Sequence, residues 1–282
     1  MNGSDFLAMA CGLCSALTWG AGDFSGGFAT KNNRVLSVVF YSQIAGVVFL
    51  LALTRIFPEP VPDVFHLFLG ALAGICGTTG IIFFYKALSM GKMGVVAPLS
   101  AVITALLPIF FTFVTEGLPS SMQLTGIVLA VVSVWLLSQT GEKADGISKT
   151  ELQYTILSGL GFGLFFIIMD RASETAHIWP IVSARFTTLT LFFTILFLRK
   201  QTSAPKGRNI LPIVLCGVLD AAGNTFFVLA ANMGRLDIAA VLASFYPGAT
   251  VLLAYFLLKE RLIRLQWAGV FTSLAALILF GL

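Results

Sequence analysis

Asp220 is the residue on which site chemistry is most easily built. It lies eleven positions into an apolar stretch, 210–232, roughly 16 Å from its start at 1.5 Å per helical residue. A carboxylate that deep in a bilayer costs about 2.5 to 3.5 kcal/mol on insertion scales, so one that is kept marks a functional site by default. Gly217, Gly223 and Asn224 stand three, three and four residues from Asp220. They form one small, polar stripe on a single helix face, suited to a water-filled cavity. Arg185 lies seven residues into the preceding apolar stretch, 178–198, antiparallel to the first, so it can approach Asp220 in depth. Two chemistries stay open: a structural ion pair, or a charge that substrate or a coupling proton displaces. Asp23, one turn beyond Trp19, is either a helix-end acid near Lys31 or the polar lip of a cavity with Trp19 as its aromatic wall. Tyr41, Gln43, Tyr85 and Tyr246 are candidates for the same chamber, because a buried hydroxyl or amide needs a partner.

These groups bind rather than catalyse. The chain carries no HExxH, no Gly-x-Ser-x-Gly and no Cys/His cluster, which argues against an intramembrane enzyme. Cys11-x-x-Cys14 has no second pair, and His66 and His177 are far apart in sequence. No metal and no cofactor is expected.

The elements that must position these residues are membrane helices. With 57 % hydrophobic and 11 % charged residues and a mean hydropathy of +0.94, the chain falls far from the roughly 25 % charge of a soluble protein. Its net charge of +4 is spread over short connectors rather than one basic face, which excludes a nucleic-acid partner. The start, MNGSD, lacks a basic leader region and no small-residue cleavage site follows, so the first apolar run reads as a retained helix. Ten runs of bilayer-spanning length recur: 6–29, 35–55, 64–88, 93–115, 122–139, 152–169, 178–198, 210–232, 236–258 and 263–282. The predicted class is all-α, a polytopic membrane protein. Pro98, Pro108 and Pro247 are expected helix breaks. Gly22-x-x-x-Gly26, Gly70-x-x-x-Gly74 and Gly159-x-x-x-Gly163 are expected helix contacts.

The runs repeat. Residues 80–126 recur without gaps 143 positions later, with eleven identities in 47 positions, among them Gly80/Gly223, Phe83/Phe226, Phe84/Phe227, Gln123/Gln266 and Gly126/Gly269. The polar stretch 141–150 separates a first unit, 1–140, from a second, 151–282, with five spans each. An odd number of spans per copy inserts the second upside down, giving two inverted five-helix repeats with substrate sites between the halves near mid-membrane. Connectors after the odd-numbered spans hold 13 Lys/Arg, those after the even-numbered ones only Arg55, Arg171 and Arg235. By the positive-inside rule the first set is cytoplasmic and both termini lie outside.

The second unit carries a resemblance. Ala239 to Pro247 (AAVLASFYP), Leu257 to Leu262 (LLKERL) and Trp267-Ala268-Gly269 resemble the EamA-type half of the drug/metabolite transporter superfamily: a helix-interrupting Pro, a Glu-Arg past the helix end, and Trp-x-Gly opening the last helix. Trp19-Gly20 is similar to the family's early Trp-Gly. The first unit departs from the pattern, with Glu116 lacking the following Arg and Thr104 standing where the second has Pro247. The resemblance implies a solute carrier of the plasma membrane, commonly an exporter of amino acids or other metabolites, working without ATP. Its partners would be a small-molecule substrate and the lipid bilayer, with proton coupling open and a monomer or homodimer as the assembly. A zwitterionic amino acid suits an Asp and an Arg; a sugar or an aromatic cation stays open. A passive channel is the rival reading, although no ring of like charges or carbonyls is seen.

Overall fold

Lipid offers no hydrogen-bond partners, so a chain this apolar must close its backbone bonds within each segment. The computed structural model does so with helices alone. It describes residues 3–30, 33–88, 93–137, 139, 148–198, 210–258 and 263–280, and among these no strand occurs. The first half contributes α1 (Gly3–Thr30), α2 (Val35–Ile56), α3 (Val64–Leu88), α4 (Met93–Glu116) and α5 (Ser121–Leu137). The second contributes α6 (Lys149–Ala172), α7 (Ile178–Leu198), α8 (Ile210–Met233), α9 (Leu236–Ala243), α10 (Tyr246–Leu258) and α11 (Arg264–Phe280). Six described helices are long and apolar enough to cross a membrane: those over Leu36–Ile56, Val64–Phe84, Leu99–Glu116, Lys149–Ala172, Ile178–Leu198 and Ile210–Met233.

Added to the bounds of α2, α3 and α5, the 143-residue offset lands within a few residues of α7, α8 and α11. Packing follows the same exchange. α1 packs on α8 as α6 packs on α3; α2 packs on α8 as α7 packs on α3; α4 packs on α6 as α9 and α10 pack on α1. Swapping partners in this way is what a two-fold rotation produces.

Some repeated identities have local causes. Gln123 accepts from the Ser120 backbone N–H (3.1 Å), and Gln266 from that of Ile263 (3.0 Å). The same glutamine thus caps the last helix of each half, satisfying an N–H that the helix itself leaves orphaned. A side chain at Gly80 would meet Phe162, and one at Gly223 would meet Trp19; Phe162 is Trp19 plus 143.

The proline breaks fall differently. The expected span 236–258 is interrupted at Ser244 and Phe245, between α9 and α10. Pro247 occupies the second position of α10, where no helical N–H is needed; its side chain lies outside the described residues. α4 runs uninterrupted through Pro98 and Pro108. Each removes one i→i−4 bond, and the rest of the ladder keeps the helical path, so these two are not interruptions. The side chain of Pro98 also lies outside the described residues.

Glycines bring α3 onto α7 and α8 onto α2. A Cβ at Gly70 would strike the Pro180 backbone, one at Gly74 the backbone of Ala184, and one at Gly217 the backbone of Ser42. Gly159 and Gly163 meet Ile103 and Leu107 of α4, and Gly26 meets Cys216 of α8. Backbones approach this closely only where no side chain intervenes.

Gly74→Leu is therefore expected to destabilise the purified protein by about 1–3 kcal/mol through overpacking. Gly27→Ala, where a Cβ meets nothing within 4 Å, is expected to be neutral. Melting in detergent checks both, and equal melting temperatures would contradict the packing described.

Candidate functional site

The helices line a half-open chamber of about 270 Å³ between the two halves. One wall belongs to α1 and α8. Trp19 and Asp23 reach it from α1, and Asp220 and Asn224 from α8. The facing wall belongs to α3 and α6 and is apolar: Gly77, Ile81 and Phe84 on α3, Phe162, Phe165 and Phe166 on α6. α2 and α7 close the sides with Ser42, Gln43, Arg185 and Thr188.

The polar wall is held by specific bonds. Arg185 donates through Nη1 to Asp220 Oδ2 at 2.5 Å and to Gln43 Oε1 at 2.7 Å. Its side chain is 9 % exposed, while Asp220 keeps 38 % of its own open. Such a pair stands in a low dielectric only with good geometry and further hydrogen bonds, and Gln43 supplies one. Asn224 donates to the Asp220 carbonyl at 2.7 Å, and the Trp19 indole N–H donates to the same oxygen at 3.2 Å. The Trp19 ring lies parallel to Phe166 (centroids 5.7 Å apart) and edge-on to Tyr246 (6.5 Å). Asp23 is exposed to the chamber and, among the described residues, makes no ion pair or hydrogen bond.

Of the residues singled out in the sequence, Asp220, Asn224, Arg185, Trp19, Asp23, Gln43 and Tyr246 all line this one chamber. Tyr41 does not. It packs with Ala29, Val38 and Ile213, edge-on to Phe40. Two helical residues advance about 200°, so Tyr41 and Gln43 cannot share a face. The side chain of Tyr85 lies outside the described residues. Phe84 lines the chamber, but Phe83 stacks on Tyr154 at 5.9 Å.

Residue-by-residue reading missed the apolar wall. Phe162, Phe165 and Phe166 look like any of 26 phenylalanines. The repeat was the available signal: Trp19, Gly22, Asp23, Gly77 and Ile81 plus 143 give Phe162, Phe165, Phe166, Asp220 and Asn224, and all ten line the chamber.

Two clamps join the halves at the end opposite the Lys/Arg-rich connectors. Glu59, between α2 and α3, accepts the backbone N–H groups of His177 (2.9 Å), Ile178 (2.6 Å) and Trp179 (3.0 Å) at the start of α7. A carboxylate there satisfies orphan donors and meets the positive end of the helix dipole. Arg235, between α8 and α9, holds Asp237 through Nε (3.2 Å) and Nη2 (3.1 Å), donates to the Gly117 carbonyl at 3.3 Å and lies 3.8 Å from Glu116. Its hydrogen bonds to Asp237 raise its pKa above the ordinary arginine value, so the clamp keeps its charge at every physiological pH.

The model of the EamA-like transporter family matches residues 6–139 and again 150–282. The chain belongs to the EamA-like transporter family. This EamA protein is thus a multi-pass membrane protein of a family of small-solute transporters, built from two copies of the family unit. It is 28 % identical over 134 residues to an uncharacterized protein of Methanocaldococcus jannaschii, a match that takes in 96 % of that protein and 46 % of this chain. That relative is therefore about one unit long. A crystal structure of another protein superposes with a TM-score of 0.82 at 15 % identity, over 96 % of this chain and 95 % of that one, which establishes a shared fold.

Arg185→Met is expected to destabilise the protein by about 1–3 kcal/mol, because it leaves the partly exposed Asp220 carboxylate without its charged partner. Adding Asp220→Asn should return a large part of the loss. A double-mutant cycle of melting temperatures reads the coupling, and strictly additive effects would show that the pair carries no interaction energy.

Proposed function

We propose that this EamA protein is a secondary transporter that exports small amphipathic solutes, amino acids or related metabolites, across the plasma membrane by alternating access. The observation that carries the reading is the chamber itself, a cavity between two exchanged halves with one charged and one aromatic wall. In the proposal the chain crosses the bilayer ten times, α9 and α10 forming one interrupted span, as two five-span units in opposite orientation. The 143-residue offset between helix bounds supports this, because an odd number of spans per unit reverses the second copy.

The charge bias puts the Lys/Arg-rich connectors in the cytoplasm and both termini outside. Chamber residues span the middle of the helices: Asp23 is seven positions from the end of α1 on the Lys/Arg-rich side, and Ile181 three from the start of α7 on the other. At the other end the Glu59 and Arg235 contacts bridge the two halves. In the proposed cycle the solute loads from the cytoplasm, as export requires. Release then needs both clamps to part while the opposite end closes.

Counterflow in proteoliposomes tests the reading. A carrier preloaded with unlabelled solute accumulates labelled solute transiently, whereas a channel does not. Screening a metabolite panel by thermal shift first supplies the solute. Asp220→Asn is expected to fold and to lose counterflow; a variant that exchanges solute at the wild-type rate and with the wild-type pH profile would remove Asp220 from the mechanism. Glu59→Ala leaves three N–H groups at the start of α7 without their acceptor. It is expected to cost about 1–2 kcal/mol of stability and to change the exchange rate at saturating solute. If melting falls while exchange is unaltered, Glu59 is a structural cap and no gate.

A further inference from the structure

We infer that Asp23 is the receptor for a positively charged nitrogen, so that the solute held in the chamber is an amine carrying an apolar, ring-sized body. The inference rests on the transporter reading and narrows it to a substrate class.

Charge accounting leads there. Arg185 is matched by Asp220 at 2.5 Å, which leaves the chamber one carboxylate in excess. That carboxylate is Asp23, which lines the cavity and makes no ion pair or hydrogen bond among the described residues. A carboxylate that faces the cavity without a partner is where a cation entering from solution would be held. An anionic solute would add a second uncompensated charge beside it, and a neutral polyol would leave it bare while facing phenylalanines. An ammonium group offsets it directly.

The opposite wall says what the nitrogen is attached to. Ile81, Phe84, Phe162 and Phe165 present hydrocarbon and ring surface to the cavity. At each position where the α1/α8 wall carries Asp23, Asp220 or Asn224, the position 143 residues away carries Phe166, Gly77 or Ile81. The polar and apolar walls are thus related positions that differ in chemistry, and together they fit a solute with one charged end and one apolar end. At about 270 Å³ the cavity falls below the roughly 300–1,000 Å³ typical of drug-sized ligands, so the body is about one ring in size.

The test uses the purified full chain and three probes: phenethylammonium, its neutral analogue phenethyl alcohol, and phenylalanine. Binding is read by tryptophan fluorescence and by calorimetry. Phenethylammonium is expected to bind about ten- to a hundredfold more tightly than the alcohol, the margin of one charge-assisted hydrogen bond. Asp23→Asn should erase that preference at an unchanged melting temperature, and Asp23→Glu should restore it. Phenylalanine distinguishes an amino-acid solute from a plain amine, and either answer keeps the nitrogen at Asp23 provided Asp23→Asn weakens it. Equal affinity for ammonium and alcohol, no binding of either, or a preference that survives Asp23→Asn overturns the assignment. Counterflow separates the two levels of the argument. Tight ammonium binding without exchange sinks the transporter reading and leaves the amine site. Exchange of solutes with no preference for the cation does the reverse.

Discussion

Hydrocarbon chains are as apolar as leucine, so helices in a bilayer gain little by hiding side chains from lipid and are brought together by close packing and polar contacts. In this chain the closest contacts are made by backbone. Gly74 of α3 lies against Ala184 of α7, and Gly217 of α8 lies against Ser42 of α2; 74 plus 143 is 217. The residues next in line are the ones that matter to the site. Arg185 follows Ala184, Gln43 follows Ser42, and Asp220 stands one turn beyond Gly217. Two glycine contacts, one in each orientation, thereby set the relative depth of the three side chains joined through Arg185. A methyl group at Gly74 would shift α7 on α3, and one at Gly217 would shift α8 on α2, displacing the helices that carry Arg185 and Asp220.

Charge then distinguishes halves that packing leaves alike. The exchange of helix partners is nearly complete, yet the ionisable groups facing the chamber have no ionisable counterparts: Asp23 answers to Phe166, Asp220 to Gly77 and Arg185 to Ser42. A chamber that kept the symmetry would set two carboxylates facing each other, and like charges at short range hold one of them protonated. It would also accept a solute equally well in two orientations. Divergence of one copy toward phenylalanine and glycine halves the number of carboxylates facing the chamber and fixes which way round a solute lies.

Much of this was legible in the sequence because the physics that shapes it is local. Spans follow from apolar length, and the repeat follows from identities such as Gln123/Gln266, which prove to be helix caps. Asp220 and Arg185 stood out because an ion deep in an apolar run is costly. What stayed hidden depends on facing direction or on distant partners. Tyr41 and Gln43 are two residues apart, and only one of them faces the chamber. Phe162 was hidden by the abundance of phenylalanine, although its offset from Trp19 pointed to it. Glu59, set between Pro58 and Pro60 in the sequence, caps a helix 118 residues away. Nothing near it in sequence names that partner, since a carboxylate in a loop serves any helix start the fold delivers.

The clamps carry the asymmetry to the two ends of the molecule. Glu59, Glu116 and Arg235 answer by offset to Thr202, Lys259 and Lys92. A pair of opposite charges at one end therefore becomes, in strict register, a pair of like charges at the other, so whatever shuts the Lys/Arg-rich end is not a copy of the clamp described here. In the proposed alternating-access cycle, two closures built from different interactions would have different free energies, and the empty protein would rest on one side. A solute moves such an equilibrium only by as much as its affinity differs between the two states. Hence the residues that bind it must change their company as the protein turns over. Asp220 can do so, being shared between the chamber and an arginine carried on a helix of its own half. Trp19 can do so as well, because its ring lies on Phe166 of the opposite half and its indole N–H on the carbonyl of Asp220, so no movement of one half past the other leaves it undisturbed.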